Sequence, residues 1–349
     1  MDYIILIIAL AAVVYGADNL VSGSADIARR FKISDFVIGA IIVGVGTSFP
    51  ELIVSSMGAL EGKVDVAVGN VVGSNIFNIL GILGITALLH PVAVKSENNR
   101  FELPLCIGIS ILATLLAFNF FCNDEIIIGR GDGLILLAIF ATYIYISFLR
   151  DRKKSKISPI TAKTEAPQSL TKAVLRTIIG LAILITGCDF FVDSAVNIAT
   201  AWGVNEAFIS ITLIACGTSL PELAASVAAA AKRNTELALG NVVGSNIFNL
   251  AFILGVSSQI TPLSGSGITI VDYAVMIGAS ILLLIFSLNN RISRTEGAIM
   301  LTSFVAYNIF SIHTNYLNYV FTTFNPSRSV RHVPLWNEYD ELRTSKSSW

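Results

Sequence analysis

Hydrophobic residues occupy long, nearly unbroken stretches of this chain, and the short segments between them hold most of the charged residues. A helix that crosses the hydrocarbon core of a bilayer needs about 20 predominantly apolar residues. By this criterion the pattern predicts ten membrane-spanning helices, over residues 3–28, 34–60, 64–90, 102–121, 129–149, 173–200, 205–231, 235–260, 270–288 and 295–313. Several of these segments are longer than one crossing requires, so tilted or broken helices are expected among them.

The composition agrees with a protein that lies mostly in lipid. Of the 349 residues, 54% are hydrophobic and 13% are charged, whereas a soluble domain carries roughly 25% charged residues. The net charge of −1 gives no indication of a nucleic acid as partner. The four cysteines stand singly in apolar segments, without the spacing of metal ligands, so we expect no bound cofactor. The expected fold is an all-α polytopic membrane protein, and its expected surroundings are the lipid bilayer.

The clearest interruption of the apolar pattern is residues 150–172, a stretch of Lys, Arg, Ser, Thr and Pro without apolar periodicity. It divides the chain into two halves of five predicted helices each, residues 1–149 and 173–324. Residues 325–349 are polar and belong to neither half of the pattern. We interpret them as a disordered tail or as a remnant of the expression vector.

The basic residues predict the orientation of the helices, because Lys and Arg are retained in short cytoplasmic loops. If residues 150–172 form a cytoplasmic linker, every Lys and Arg before residue 325 falls on the cytoplasmic side except Lys63 and Arg130. Both termini are then extracytoplasmic, and we expect a multi-pass protein of the plasma or inner membrane. The first loop of the first half is basic, whereas its counterpart in the second half, residues 200–207, has no basic residue. The two halves are therefore predicted to have inverted orientations.

The two halves also resemble each other in sequence. Residues 46–91 align without a gap with residues 217–262, and the identities are densest at the polar residues. Inverted repeats with interrupted helices at matching positions are typical of secondary transporters, whose substrate site lies near the middle of the membrane.

The first polar block of each repeat reads GTSFPE at residues 46–51 and GTSLPE at residues 217–222. Proline lacks the N–H that a helix interior needs and clashes with the preceding turn, so Pro50 and Pro221 should interrupt their helices. Backbone that is not helical is tolerated at membrane depth only where protein buries it or where it lines a wet cavity. The interruption therefore predicts main-chain oxygens beside the glutamate of each block.

Glu51 and Glu222 follow these prolines inside apolar segments. An ionisable side chain in the membrane is costly, and its default interpretation is functional. The alternative is a capping box, in which Ser48 with Glu51, and Ser219 with Glu222, bond the free amides of a helix start. Their repetition at equivalent positions of an inverted pair favours a functional site, although capping and ion binding are compatible.

The second block, GNVVGSNIFN, occurs at residues 69–78 and again, unchanged, at residues 240–249. Its first Asn, its Ser and its last Asn are spaced four residues apart, so each copy places three oxygen-bearing side chains along one helix face. The glycines of the block favour close helix packing. Packing explains the asparagines less well, because buried amides are costly without partners. Two such stripes opposite two glutamates indicate a coordination shell.

The candidate ligands in both blocks are hard oxygen donors: carboxylates, hydroxyls, amides and main-chain carbonyls. Ca2+ takes about six to eight such oxygens in flexible geometry, whereas zinc and copper sites use His or Cys. The histidines lie near predicted helix ends or in the tail. The residues alone therefore favour a hard cation such as Ca2+.

The paired GTSxPE and GNxxGSNxxN blocks resemble the signature repeats of the sodium/calcium exchanger family, prokaryotic type, within the calcium/cation antiporter superfamily. The resemblance covers residues 1–315. It implies ten helices in two inverted five-helix repeats, with the second, third, seventh and eighth helices forming the ion site and the first and sixth acting as a sliding gate. The ion ligands that it implies are Thr47, Ser48, Glu51, Ser74, Asn78, Thr218, Ser219, Glu222, Ser245 and Asn249, with main-chain oxygens at Gly44 and Ala215.

The resemblance further implies a secondary active antiporter that exchanges Ca2+ for Na+ by alternating access. Such a protein is not an enzyme, has no cofactor, and has the transported ions Ca2+ and Na+ as its partners. It can work as a monomer, and the oligomeric state stays open. Several relatives place an aspartate where Asn249 stands. With two glutamates alone, the formal charge balances one Ca2+ or two Na+, which disfavours exchange of three Na+ for one Ca2+.

Coupling to H+, or dependence on K+, is the main alternative, although the second block lacks the His and Glu typical of the proton-coupled branch. A cation channel and an intramembrane hydrolase are more remote. A hydrolase needs His, Lys or an Asp pair beside its nucleophile, and neither block supplies one. Broken helices in an inverted repeat favour a carrier over a channel.

The orientation can be tested with single cysteines in a background without the native ones. The Ser158→Cys variant should react with impermeant thiol reagents only from the cytoplasmic side, and the Asn205→Cys variant only from outside, because the two loops are predicted on opposite faces. Labelling of intact cells and of inverted vesicles measures this. Equal accessibility of both positions from one side would contradict the inverted repeat.

Overall fold

The computed structural model describes residues 1–118, 127–157, 169–202, 217–264 and 268–324, and these residues are almost entirely helical. The helices are α1 Asp2–Phe31, α2 Asp35–Thr47, α3 Phe49–Leu60, α4 Val64–Leu89, α5 Ser96–Arg100, α6 Glu102–Ala117, α7 Arg130–Ile157, α8 Leu170–Ala201, α9 Leu220–Ala231, α10 Thr235–Ile260, α11 Ile270–Ser287 and α12 Arg294–Phe324. Four two-residue strands join loops: β1 Val92–Ala93, β2 Ile127–Ile128, β3 Leu263–Ser264 and β4 Arg291–Ile292.

Within the described ranges, seven apolar helices are long enough to cross a membrane, and α2 with α3, bent by 47°, counts as an eighth if the pair is one span. The prediction of an all-α polytopic membrane protein is confirmed. Helix α9 has only 12 residues, since it begins at Leu220 after a turn. The first part of the predicted span, residues 205–216, lies outside the described residues. Helix α12 covers the predicted tenth span but is not among these seven helices. The count of ten spans stays a prediction.

Helices α1 and α8, which occupy equivalent positions in the two halves, pack against each other in antiparallel directions. Trp202 at the end of α8 donates a hydrogen bond from Nε1 to the hydroxyl of Tyr3 at the start of α1, over 2.9 Å. Further along, a Cβ atom at Gly180 would lie 2.5 Å from the main-chain nitrogen of Leu20. Only glycine permits this approach of the two backbones.

The centre of the bundle is formed by α4 and α10, the helices that carry the repeated second block. In the most apolar stretch of α10, 94% of the residues are buried, whereas in that of α1 only 28% of the residues are buried. Gly240 and Gly244 lie against the backbone of Phe36 and Ala40 in α2, so α10 packs closely on the helix that precedes the break. The predicted packing role of these glycines is therefore confirmed in the second copy of the block.

Both central helices contain a wide π-helical segment, Phe77–Leu83 in α4 and Phe248–Ile253 in α10. A third π-helical segment, Gly39–Val43, lies in α2. Such segments hold an extra residue in the turn and are frequent at functional sites. The hydrophobic pattern gave no signal for them, because they do not alter the apolar character of a helix.

Short antiparallel strand pairs tie the loops together at each end of the bundle. At one end β1 pairs with β4, and Lys95 forms a 2.7 Å salt bridge with Glu236. At the other end β2 pairs with β3, and the Nε2 atom of Gln259 donates to the carbonyl of Arg130 over 2.9 Å. The first group belongs to loops predicted as cytoplasmic and the second to loops predicted outside. Loops that were predicted on the same side of the membrane thus lie at the same end of the bundle. Which end faces the cytoplasm stays a prediction.

The predicted linker, residues 150–172, is helical at both of its ends. Helix α7 continues to Ile157 and α8 begins at Leu170, so the two ends of the polar segment are helical. Residues 158–168 and the tail 325–349 lie outside the described residues.

The contact between α1 and α8 predicts that Gly180→Ala destabilises the protein by about 1–3 kcal/mol, because the added methyl group overpacks a backbone contact. Gly278→Ala is the matched control, since a Cβ atom there meets no atom within 4 Å, and it should be neutral or slightly stabilising in a helix. Thermal unfolding followed by size-exclusion chromatography in detergent measures both. Equal thermal midpoints for the two variants would contradict the close approach.

Candidate functional site

The two glutamates lie in the first turns of α3 and α9, and α3 directly follows the break after α2. Pro50 and Pro221 stand in the first turn of these helices, where their missing N–H costs nothing. Glu51 and Glu222 are both completely buried. The predicted interruption is thus present in the first repeat, whereas the helix that would precede the turn before α9 lies outside the described residues.

Each carboxylate is bonded by a serine from the other half of the chain. The hydroxyl of Ser48 donates to Oε1 of Glu222 over 2.8 Å, and the hydroxyl of Ser219 donates to Oε1 of Glu51 over 2.8 Å. Neither serine bonds the free amides of its own helix start with its side chain. The capping-box alternative is therefore wrong, and the serines connect the two halves at the site.

The main chain at each glutamate is held by the first asparagine of the second block. The Nδ2 atom of Asn70 donates to the carbonyl of Glu51 over 3.1 Å, and Nδ2 of Asn241 donates to the carbonyl of Glu222 over 3.1 Å. The same two Nδ2 atoms lie 2.9 Å from the hydroxyls of Ser55 and of its repeat counterpart. Sequence reasoning placed these asparagines on the polar stripe but did not identify this supporting role.

The threonines of the first block lie close to these supporting amides. The Oγ1 atom of Thr47 lies 3.2 Å from Oδ1 of Asn241, and Oγ1 of Thr218 lies 3.4 Å from Oδ1 of Asn70. The structure therefore brings the predicted Ser, Thr and Glu residues of both first blocks into one hydrogen-bonded cluster.

The serines of the second block reach the same cluster by different contacts. The hydroxyl of Ser74 lies 3.5 Å from Oε1 of Glu51 and 3.1 Å from the hydroxyl of Ser219. The hydroxyl of Ser245 instead donates to the carbonyl of Gly44 over 3.2 Å. The main chain of Gly44 is therefore at the site as predicted. Ala215, its predicted counterpart, lies outside the described residues.

The last asparagines of the second block, Asn78 and Asn249, are completely buried. The Nδ2 atom of Asn78 donates to Oδ1 of Asn246 over 3.0 Å, and neither polar atom of the Asn249 side chain has a hydrogen-bond partner. The Oδ1 atom of Asn78 and the Oε2 atoms of both glutamates also lack a partner. Such buried, unpartnered atoms cost about 1–3 kcal/mol each, and in a native structure they call for an explanation such as a bound ion.

The electrostatic character of the site is that of two carboxylates without a basic partner. In the described part of the chain, no salt bridge from Lys or Arg reaches either glutamate. Two ionised carboxylates in a low-dielectric interior repel each other and lose hydration, so this state needs a compensating positive charge. The surrounding donor atoms are all oxygens, which suit a hard cation rather than a soft one.

Apolar helices packed around a buried shell of oxygen ligands define a polytopic membrane transport protein. The chain belongs to the sodium/calcium exchanger family: the family profile described as "Sodium/calcium exchanger protein" matches residues 1–149 and 172–313. The family that the two polar blocks indicated is thereby confirmed, and its members are antiporters rather than enzymes.

The chain is also similar to individual relatives over most of its length. It is 35% identical over 312 residues to the inner membrane protein YrbG of Escherichia coli, which covers 87% of this chain and 94% of the relative. It is 30% identical over 340 residues to the sodium/calcium exchanger MaX1 of Methanosarcina acetivorans, with 88% and 97% covered. A solved structure of the sodium-calcium exchanger NCX_Mj, soaked with zero Na+ and Ca2+, superposes with a TM-score of 0.76 at 32% identity, covering 89% of this chain and 98% of that chain.

The crossed serine–glutamate bonds can be tested by a double-mutant cycle on stability. Ser48→Ala combined with Glu222→Gln should show a coupling energy of about 0.5–1.5 kcal/mol, the difference between a hydrogen bond to a charged and to a neutral acceptor. Ser48→Ala combined with Glu51→Gln is the matched control and should couple by less than about 0.5 kcal/mol. Thermal unfolding in detergent supplies the four stabilities of each cycle. Larger coupling in the control pair would restore the capping box.

Proposed function

We propose that this protein exchanges Ca2+ for Na+ across the membrane by alternating access, and that Glu51 and Glu222 bind the transported ions. One observation carries the proposal. Both carboxylates are completely buried, and each accepts a serine hydrogen bond at Oε1 and leaves Oε2 without a partner. A dehydrated cation is the partner that such oxygens require in a site without a basic side chain.

The proposed coordination shell extends from the carboxylates to neutral oxygens. Its members are Thr47, Ser48, Glu51, Ser74, Asn78, Thr218, Ser219, Glu222, Ser245 and Asn249, with the main-chain oxygens of Gly44 and Ala215. The unpartnered Oδ1 atoms of Asn78 and Asn249 support their inclusion. Ca2+ accepts about six to eight oxygens in flexible geometry, and the hydroxyls and amides supply neutral donors beyond the carboxylates.

The charge balance explains why such a site would exchange one kind of ion for another rather than carry a single ion in one direction. One Ca2+ or two Na+ neutralises the two glutamates, so the ions compete for the same oxygens. Without a cation, two ionised carboxylates stay buried in low dielectric, which is strongly unfavourable. This penalty would suppress movement of the empty carrier, and the return of the site would depend on the second ion. Asn78 and Asn249 add no further charge.

The proposed architecture is ten spans in two inverted five-helix repeats, residues 1–149 and 173–324, joined by a cytoplasmic linker at residues 150–172. The antiparallel contact between the equivalent helices α1 and α8 supports the inversion. The matched helix starts of α3 and α9 and the matched π-helical segments of α4 and α10 support the repeat. Interrupted helices at a repeat interface are the usual place of the site in a secondary transporter. In this arrangement both termini are extracytoplasmic.

Ca2+ uptake into proteoliposomes loaded with Na+ tests the function. Uptake should require the outward Na+ gradient, and Glu51→Gln or Glu222→Gln should each lower it at least about tenfold, because affinity for a hard cation depends on ligand charge. Glu97→Gln, which changes an exposed glutamate in α5, is the matched control and should transport like the parent. Asn249→Asp should keep transport and change the charge moved per Ca2+.

Two outcomes would replace the proposed coupling ion. Uptake that follows a pH gradient without Na+ would indicate Ca2+/H+ exchange, and a requirement for K+ together with Na+ would indicate a K+-dependent exchanger. If folded Glu51→Gln and Glu222→Gln variants transported Ca2+ as fast as the parent protein, the assignment of the site itself would be wrong.

A further inference from the structure

The two copies of the second block have the same sequence but different hydrogen bonds. In the first copy, Nδ2 of Asn78 donates to Oδ1 of Asn246 over 3.0 Å. Asn78 and Asn249 are equivalent in the repeat, as are Asn75 and Asn246. The counterpart of the observed bond would therefore join Asn249 to Asn75. That bond is absent, since both polar atoms of Asn249 and Oδ1 of Asn75 have no partner.

The residues of the absent bond are all buried at the same helix crossing. Asn75 and Asn249 are completely buried, and Nδ2 of Asn246 donates to the main-chain carbonyl of Asn75 over 3.2 Å. A buried polar atom without a partner costs about 1–3 kcal/mol, so a second bond would be expected if one packing arrangement allowed both. We infer that the two bonds exclude each other, and that the structure holds one of two alternatives.

The backbone around these residues is suited to such an exchange. Asn78 and Asn249 lie in the π-helical segments Phe77–Leu83 and Phe248–Ile253, whereas Asn75 and Asn246 lie in the regular α-helical turns before them. A π-helical turn is wider and less regular than an α-helical one. The ligand amides thus stand on the more adaptable part of each helix, and their hydrogen-bond partners stand on the more rigid part.

The serines of the block show the same difference between the halves. Ser74 lies beside the carboxylate of Glu51, whereas Ser245 bonds the carbonyl of Gly44 instead of Glu222. The hydrogen bonds that the first-block serines donate to the glutamates are symmetric by comparison, with 2.8 Å in both halves. Among the described residues the asymmetry lies in the second blocks, whereas Ala215, the counterpart of Gly44, lies outside the described residues.

We propose that Asn75 and Asn246 are positioning residues that hold the two ligand amides in turn. Asn246 holds Asn78 and leaves Asn249 unbonded in the conformation described here, and Asn75 holds Asn249 and leaves Asn78 unbonded in the opposite-facing conformation. The proposal rests on the proposed function, because the two conformations are those between which an antiporter alternates. A ligand that prefers either one shifts the population toward it.

The test compares Asn246→Ala, Asn75→Ala and the double variant. Asn246→Ala removes the acceptor of Asn78 in the described conformation. Asn75→Ala removes the proposed acceptor of Asn249 in the opposite conformation, together with the bond that Nδ2 of Asn75 donates to the carbonyl of Val71 in its own helix over 2.6 Å. The ratio of half-saturating Ca2+ concentrations on the two faces of oriented proteoliposomes should therefore shift in opposite directions. A shift on the order of fivefold is expected for the loss of one buried hydrogen bond. The double variant should return the ratio toward the parent value, which a general loss of structure would not do. Asn308→Ala is the matched control, because Asn308 also bonds a main-chain carbonyl in its own helix and should leave the ratio unchanged.

Hydrogen–deuterium exchange without Ca2+ gives a second readout that does not depend on transport. Protection of the α2–α3 and α9 peptides should change in opposite senses in the two single variants. Shifts in the same direction, or no shift in either variant, would overturn the proposal. If an alanine variant does not fold, Asn246→Ser and Asn75→Ser serve in its place. Failure of the parent to transport Ca2+ would refute the proposed function, whereas the exchange measurement would still decide whether the amide bonds alternate.

Discussion

Burial of two carboxylates at the centre of an apolar helix bundle is the constraint to which the rest of this structure responds. Glu51 and Glu222 have no salt bridge to a basic side chain in the described part of the chain, and their exposed fraction is zero. Hydrogen bonds alone do not offset the loss of hydration of two charges. The protein supplies one serine to each Oε1 atom and leaves each Oε2 atom without a hydrogen-bond partner.

The surrounding fold keeps these carboxylates in place while allowing the bundle to move. From neighbouring helices, Asn70 and Asn241 hold the main chain of the two glutamates by hydrogen bonds. The glycines of α10 allow this helix to pack closely against α2. These contacts bind the centre of the bundle together. Helices α1 and α8 instead pack on each other through glycine, and only 28% of the residues in the most apolar stretch of each helix are buried. A peripheral pair that is held to itself more than to the centre is the part of the bundle best able to change position.

Features that depend on local chemistry could be predicted from the sequence, and features that depend on distant partners could not. Hydropathy identified the helices because lipid requires long apolar segments, and Pro50 identified the break because it removes a helix hydrogen bond. The high cost of a membrane carboxylate identified Glu51 and Glu222. The crossed bonds escaped prediction because Ser48 and Glu51 match a local capping pattern, whereas the actual partner of Ser48 lies 174 residues away. The π-helical segments escaped because they leave no compositional trace.

Exact repetition of the second block has an energetic consequence for alternating access. If two conformations differed in the kinds of bond that they contain, one would dominate and the carrier would stop there, since a few kcal/mol suffices to populate one state almost exclusively. Here the bond from Asn78 to Asn246 and its counterpart from Asn249 to Asn75 would have the same chemistry in inverted surroundings. Exchanging one for the other would change little free energy. The identical letters of the two blocks would thus favour a balanced two-state carrier, in which the ions, rather than the protein, decide which state is populated.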